Sequence, residues 1–478
     1  MLDHIKQPPE KPSYEELEVL LAKALERIAG LEKMLEKFIG RQGLTSRNSS
    51  KPPSSDEKYK PKPKSERLRS GLTSGGQDKH VGHTLEWQAE GFKTVVHYPK
   101  GLCLCGLSLE EACVSELQER QVIDLPIMKL EAIVHQLQTR VCSCGVKHQD
   151  EFPKGVEAHV QYGNRIRGQA VYLLNTQFMS YERCQRYFFE LYQVQLSQGT
   201  LVNWQEAAYE HLSEVESGIR TALQKVEVGH ADETGIHVNG KLQWWHSFGT
   251  SLYTHYHVAK KRGLEGMKLG GIVQHFKGIL SHDCWGAYFK LLCFHALCNA
   301  HLLRELTRVF ETTGQTWALS LKTLLHTMKS GLEQNPNLAL ETRFELQLQF
   351  RALVAQGLFE NPAVVRSELI LTTRGRVRQS YTRSLLLRLE QHEESWLRFL
   401  FDARVAFDNN LAERDVRMVK VREKVSGGSR GEGATWFARI RGYVSTLRKQ
   451  KQDLYQALVD LFAGNVVLPL SLVLSNTS

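Results

Sequence analysis

Seven apolar residues, Leu17, Leu21, Ala24, Ile28, Leu31, Leu35 and Phe38, recur at alternating steps of four and three. That spacing keeps them on one stripe of an α-helix, with Glu and Lys filling much of the rest, and it predicts a coiled coil over residues 13–42. Ser13 with Glu16 three residues on forms a capping box at its start. The stripe must be buried, against a second copy or against the protein's own body. Beyond Leu44 the periodicity collapses. Residues 43–85 carry the Ser/Pro-rich run Asn48-Ser49-Ser50-Lys51-Pro52-Pro53-Ser54-Ser55-Asp56, then Lys58, Lys60, Lys62, Lys64, Arg67 and Arg69. Pro and Lys keep a chain extended, so this is a basic linker, either simply solvated or also gripping phosphates.

Short β-like runs such as Thr94-Val95-Val96-His97-Tyr98 mark residues 86–152. Residues 157–224 read as helical, with Val171, Leu173, Leu174, Phe178, Tyr187, Phe188 and Leu191 supplying the apolar positions. Strand patterns dominate from Val226 to Leu292. Residues 296–400 return to helical spacing, beginning with Leu302, Leu303, Leu306 and Val309. A helical stretch from Asn409 to Phe462 breaks near Ser426-Gly427-Gly428-Ser429, and residues 451–478 form a last helix and tail. No internal repeat is visible.

Composition narrows the class. The 478 residues suggest about three domains at roughly 150 residues each. With 42 % hydrophobic and 24 % charged residues, wholesale disorder is excluded. The longest apolar-rich stretch, Leu461 to Leu474, is broken by Asn465 and Pro469 and is too short to span a bilayer. Met1-Leu2-Asp3-His4, followed by prolines and charges, is no signal peptide. A cytoplasmic protein without membrane association is expected, and its nine cysteines are then free or metal-bound. The net charge of +9 weakly favours a polyanionic partner.

Cys103-Leu104-Cys105-Gly106 is echoed by Cys142-Ser143-Cys144-Gly145. Two such pairs fit a four-thiolate zinc site, because thiolate sulfur suits Zn²⁺ and Gly lets the backbone fold round it. Ordinary thiols are the alternative, and Cys113 and His148 are possible substitute ligands. Cys184, Cys284 and Cys293 lack a paired pattern and read as core.

Three segments end in acid. Val226–Gly235 reads as a strand leading into Asp232, Gly278–Gly286 as a strand leading into Asp283, and Phe407–Arg414 as a helix start carrying Glu413. A carboxylate at a buried strand end is costly to desolvate unless neutralised, and three together raise one another's pKa. A hard divalent cation would resolve that conflict and could activate water on a phosphodiester. A lone strand-end Asp is more often a cap or turn residue. Asp408, Glu233 and Asp415 are rival carboxylates. Arg417, Lys420, Arg422, Lys424 and Arg430 follow Glu413, and from Arg404 to Lys449 there are 11 basic and 5 acidic residues. Such a stretch suits a DNA backbone near the acids, or is a solvated helix face.

The motifs resemble the insertion-sequence sixty-six family of bacterial DDE transposases. Asp408-Asn409-Asn410-Leu411-Ala412-Glu413-Arg414-Asp415-Val416-Arg417 resembles its third-carboxylate motif, His230-Ala231-Asp232-Glu233-Thr234 the first, and His282-Asp283-Cys284-Trp285 the second. Cys298-Asn299-Ala300-His301 resembles the Cys-x-x-His signature of related transposases. The Asn48–Asp56 run, Gly75-Gly76-Gln77, Gly82-His83-Thr84-Leu85, Tyr162-Gly163-Asn164 and Leu196-Ser197-Gln198-Gly199-Thr200 extend the likeness over most of residues 15–460. Two segments depart: C-x-C stands where members often carry C-x₂-C, and Arg422–Gly427 replaces a common Arg-Lys-Asn run.

The resemblance implies a multidomain protein: an N-terminal coiled coil, a small zinc-binding and DNA-binding module at 86–152, a helical domain at 157–224, then an α/β RNase H-like catalytic domain at 225–450 with a helical insertion at about 300–400. Asp232 on the first strand, Asp283 on the fourth and Glu413 on a helix would be catalytic and would hold Mg²⁺ or Mn²⁺. Cys103, Cys105, Cys142 and Cys144 would hold zinc, Cys298 and His301 would be structural, and Arg417, Lys420, Arg422, Lys424 and Arg430 would meet DNA. The implied function is metal-dependent cleavage and strand transfer of an insertion sequence. Its partners would be element ends, target DNA, a second copy through the coiled coil, and accessory proteins of the same element. A catalytically inactive DNA-binding descendant is the alternative.

Overall fold

The computed structural model describes residues 84–364, 377 and 379–469, and near the N-terminus residues 14, 18–19, 21–24 and 27–28. The latter are helical, and Leu21 and Ile28 of the apolar stripe are more than half exposed. The capping box, the rest of the stripe and most of the basic linker lie outside the described residues. No helix among the described residues is long and apolar enough to cross a membrane.

The chain divides into two compact units, residues 64–134 and the remainder. Cys103 and Cys105 therefore belong to one, Cys142 and Cys144 to the other. Among the described residues of the first unit the regular element is a single 3-10 turn, Leu109–Glu111, and no residue is buried. Thr94–Tyr98 is not a strand. Val95 and Val96 are exposed, and a β-branched run gains strand structure only through a paired, packed neighbour.

In the larger unit a short hairpin, β1 (Thr139–Val141) and β2 (Lys147–Gln149), carries the second cysteine pair at its tip. Four helices follow: α1 (Asn164–Thr176), α2 (Tyr181–Tyr192), α3 (Gln198–His211) and α4 (Ser213–Gln224). Ser180 and Ser197 cap α2 and α3, accepting the Arg183 and Thr200 N–H groups. A five-stranded sheet comes next, built from β3 (Val228–Val238), β4 (Lys241–Gly249), β5 (Thr254–Ala259), β6 (Ile279–His282) and β7 (Phe294–Leu297), in the order β5-β4-β3-β6-β7. The first three are antiparallel, and β3, β6 and β7 run parallel. Asn239 and Gly240, both at positive φ, close the β3–β4 hairpin in the backbone shape that favours this pair. The short α5 (Leu264–Lys268) lies between β5 and β6.

After β7 come α6 (Asn299–Thr313), α7 (Thr316–Gln334), α8 (Leu340–Glu360), α9 (Tyr381–Gln391) and α10 (Glu393–Phe401). The chain then returns to the sheet with α11 (Asn410–Ser426), α12 (Gly433–Lys449) and α13 (Leu454–Phe462). Helices cover the sheet because both of its faces are apolar. Ala231, Phe248 and Leu280 join a core with α1–α4, α12 and α13. Ile279, Ala296 and Leu297 join a second with α6–α10, and Ile236, Val238, Trp245 and Tyr256 a third with α11 and α12. Helix begins at Asn164, seven residues after the expected start of this segment, and the core of these helices is shared with the sheet and with α12 and α13.

Candidate active site

Strand register brings two of the acids together. Parallel pairing matches Val228 with Ile279, Gly229 with Leu280 and His230 with Ser281. That pairing ends two residues short of Asp232 and Asp283. Asp232 lies within β3, whereas Asp283 is the residue just past the end of β6, and the two are near enough for each charge to affect the other. Asp232 Oδ1 accepts the Glu233 N–H at 2.8 Å, and Asp283 Oδ1 the Trp285 N–H at 3.0 Å.

Asn409 brings in the third. It occupies the N-cap position of α11, yet its side chain makes no capping bond. Instead Nδ2 donates to Ala231 O at 2.8 Å, and Oδ1 lies 2.9 Å from His230 Nδ1. Asp408 supplies an acceptor at the helix start, receiving the Asn410 N–H at 3.1 Å. The first turn of α11, with Glu413 in it, is thereby pinned beside the strand that carries Asp232. The Asn409 N–H also meets Cys298 Sγ at 3.2 Å, and Asn299 N–H donates to Phe407 O at 3.1 Å.

The electrostatics agree with this meeting. Burial holds the Asp232 carboxyl well above the usual carboxylate range, and Glu233, Asp283 and Glu413 push it further. Burial also raises Asp283. It raises Glu413 as well, with Asp408 and Asp283 adding to the effect and Arg304 and Arg417 opposing it. The three carboxyls, an all-oxygen set, are raised by burial and mutual repulsion, yet their ligand atoms do not all lie within 4.8 Å of one another, so the acids are neighbours that would have to draw closer to share one ion.

The rival acids are committed elsewhere. Glu233 is buried, takes Arg262 Nη2 at 2.7 Å and accepts the Tyr288 hydroxyl. Arg262 in turn lies over the rings of Trp244 and Trp285, at 4.9 and 4.2 Å from their centroids. Asp415 is ion-paired with Lys449 at 2.7 Å. Glu413 has its own surroundings: Cys298 Sγ at 3.9 Å, His301 Nδ1 at 3.4 Å and Arg304 Nη2 at 3.8 Å.

The basic residues divide. Arg417, Lys424 and Arg430 are exposed, and so is Arg414. Lys420 is tied to Gly235 O and Glu423, while Arg422 donates to Ser429 Oγ at 2.6 Å and lies over Phe437. The cysteine pairs form two copies of one turn. Cys103 N–H donates to Leu107 O and Gly106 N–H to Cys103 O; Cys142 and Gly145 do the same with Val146 and Cys142. Gly106 and Gly145 share a φ of +87°. Hydrogen bonds from Cys105 and Cys144 lower the pKa of the Cys103 and Cys142 thiols, which favours the metal-binding thiolate.

Residues 159–435 match the Transposase IS66 family model, more than half of the chain. The chain belongs to this family. All three acids, Cys298, His301 and the basic residues of α11 and its C-terminal loop fall inside the match, whereas the cysteine pairs precede it. A family of unknown function (DUF6444) matches residues 6–86. No curated protein matches the chain. Among solved structures, a chain of the simian T-cell lymphotropic virus intasome bound to PP2A regulatory subunit B56 gamma is 12 % identical. That match covers 44 % of this chain and 78 % of that one, with a TM-score of 0.14.

From sequence Asn409 reads only as a cap and Arg262 and Tyr288 carry no signal, whereas Arg304 stands in the Leu303-Arg304-Glu305-Leu306 run that continues the Cys-x-x-His signature. Asn409 was visible in the Asp-Asn-Asn run. Arg262 lies in an ordinary Lys/Arg stretch that gives no hint of its place between two tryptophans.

Proposed function

We propose that this IS66-family transposase is a DDE enzyme that cuts a phosphodiester at an element end and joins the freed 3′ end to target DNA. The reading is supported by the parallel pairing of β3 with β6, which ends two residues short of Asp232 and Asp283, and by Asn409, which tethers α11 and its Glu413 to β3. The sheet order, with three antiparallel strands followed by two parallel ones, supports an RNase H-like catalytic domain interrupted by the helices α6–α10.

Asp232, Asp283 and Glu413 would hold Mg²⁺ or Mn²⁺, which supplies Lewis-acid activation of water and stabilises the leaving oxygen. Asn409 keeps the helix and strand in register. Exposed Arg417, Lys424 and Arg430 lie on the α11 side and would take backbone phosphates, which fixes the DNA without reading its sequence. In the first step water attacks phosphorus and the bond to the 3′ oxygen breaks, leaving a 3′-hydroxyl and a 5′-phosphate. In the second that hydroxyl attacks a target phosphorus, and as the new P–O bond forms the target's bond to its own 3′ oxygen breaks, the hydroxyl proton passing by way of water to that leaving oxygen. Each cysteine turn would offer two thiolates to zinc and help grip end DNA. The N-terminal stripe would pair two copies so that both ends are held.

Full-length protein is assayed on labelled element-end DNA with Mg²⁺. Asp232→Asn is expected to abolish nicking and leave DNA binding intact. Nicking at near-normal rate in that variant overturns the reading. A wild-type chain that binds ends yet never cuts favours the inactive DNA-binding alternative.

A further inference from the structure

Cys298, His301 and Glu413 form the one group, among the described residues, of three or more His, Cys, Asp or Glu side chains with ligand atoms all within 4.8 Å of one another. Cys298 is the N-cap residue of α6 and His301 lies in its first turn, so both face Glu413 in the first turn of α11. Cys298 Sγ is 3.9 Å, and His301 Nδ1 3.4 Å, from the same Glu413 oxygen. Around tetrahedral zinc, with Zn–S about 2.3 Å and Zn–N or Zn–O about 2.0 Å, neighbouring S and O atoms sit about 3.5 Å apart, and N and O about 3.3 Å. The three atoms are therefore already spaced for one small ion. His301 Nδ1 is buried and has no hydrogen-bond partner. The sulfur receives the Asn409 N–H, the kind of outer support that orients a metal ligand.

We infer that Cys298, His301 and Glu413 form a site for a thiophilic divalent cation, zinc or its analogue cobalt, separate from the all-oxygen set. Binding breaks the Cys298 S–H bond, forms a sulfur–metal bond and releases one proton to water. Three protein ligands leave a fourth position open. Glu413 cannot serve both sites with the same oxygen, so zinc here withdraws it from the aspartates and switches cleavage off. That consequence, unlike the binding itself, rests on the catalytic reading of Glu413. Arg304, 3.8 Å from the shared oxygen, opposes an incoming cation.

Full-length protein is dialysed against Zn²⁺ and the metal per chain is counted. Wild type is expected to hold one zinc more than Cys298→Ser or His301→Ala, and zinc on the other cysteines cancels in the difference. Arg304→Ala is expected to bind this zinc about tenfold more tightly, since a nearby positive charge is gone. Equal zinc in all chains overturns the site. If a substitution unfolds the protein, crystals of the unaltered chain grown with Co²⁺ decide: an anomalous peak bonded to Cys298 Sγ, His301 Nδ1 and Glu413 supports the site, and its absence there refutes it. Mg²⁺-dependent cleavage on the same samples separates the two readings. Cleavage without the extra zinc sinks this site alone. Extra zinc with cleavage lost only while that zinc is bound is the expected switch, whereas extra zinc with no cleavage even after the zinc is stripped and Mg²⁺ supplied keeps the site and sinks the catalytic reading. Zinc that binds and leaves cleavage undiminished removes the switch.

Discussion

Asp232 on β3, Asp283 just after β6 and Glu413 on α11 stand on or beside elements that contribute to packed cores. Cys103 and Cys105, and Cys142 and Cys144, lie on exposed turns, and from Thr84 to Arg167 no residue is buried. The acids lie in a packed region without any ion, and burial raises their carboxyl pKa values. The cysteines have local turn geometry and nothing packed around it. A metal there would supply folding free energy outright, whereas a metal at the acids would relieve repulsion already built in.

The sharpest break between the two regions is a pair of substitutions. Asp283→Asn is expected to lower Mg²⁺-dependent cleavage by at least about 10³-fold, because several kcal/mol of transition-state charge stabilisation go with the ligand. Its zinc content should not change. Cys142→Ser should do the reverse to the metal count, and limited proteolysis should then cut residues 84–160 faster while the sheet survives. A cysteine variant with unchanged protease resistance and zinc content would show that this region needs no metal.

Asn409→Ala tests the tether. Its loss leaves the Ala231 carbonyl without this partner and costs about 1–3 kcal/mol of stability in denaturant unfolding. Displacing Glu413 by even an ångström is expected to cost cleavage about 10²-fold. Unfolding that matches wild type would mean the tether is dispensable.

The pH dependence is smaller and has a definite sign. Asp232 has a raised native pKa, so the metal-free chain loses stability as pH rises through that value. Asp232→Asn lacks the penalty. Its stability advantage should grow with pH and shrink when Mg²⁺ is added. Buried His246 and His301, held down to about 4, and His257 and His282, held down to about 3, act oppositely, costing stability as pH falls below the ordinary histidine value. They are common to both chains and cancel in the difference. An advantage that is flat with pH would contradict the repulsion. The smallest effects belong to the surface. Lys424→Ala or Arg430→Ala should each lower the salt dependence of DNA binding by about one unit of slope, whereas Arg422→Ala should act on stability.

Much of this was legible in the chain. The order of helical, strand and helical segments was, as was the break at Ser426–Ser429, because apolar spacing and Gly punctuation are local signals. Asp232, Asp283 and Glu413 stood out by motif. Their juxtaposition did not, since it depends on the β3–β6 register, a long-range pairing with no local mark. Thr94–Tyr98 misled because β-branched residues report a preference for pairing and cannot say whether a partner exists. Arg422 and Lys420 looked like free cations, and only the fold reveals Ser429, Phe437 and Gly235 beside them.

The central claim is that three acids distant in sequence share divalent ions. Crystals of the full chain with Mn²⁺, measured at the manganese absorption edge, test it directly. The account expects anomalous density bonded to Asp232 and Asp283, with Glu413 completing the protein ligands. Manganese absent from both aspartates at saturating concentration would contradict it.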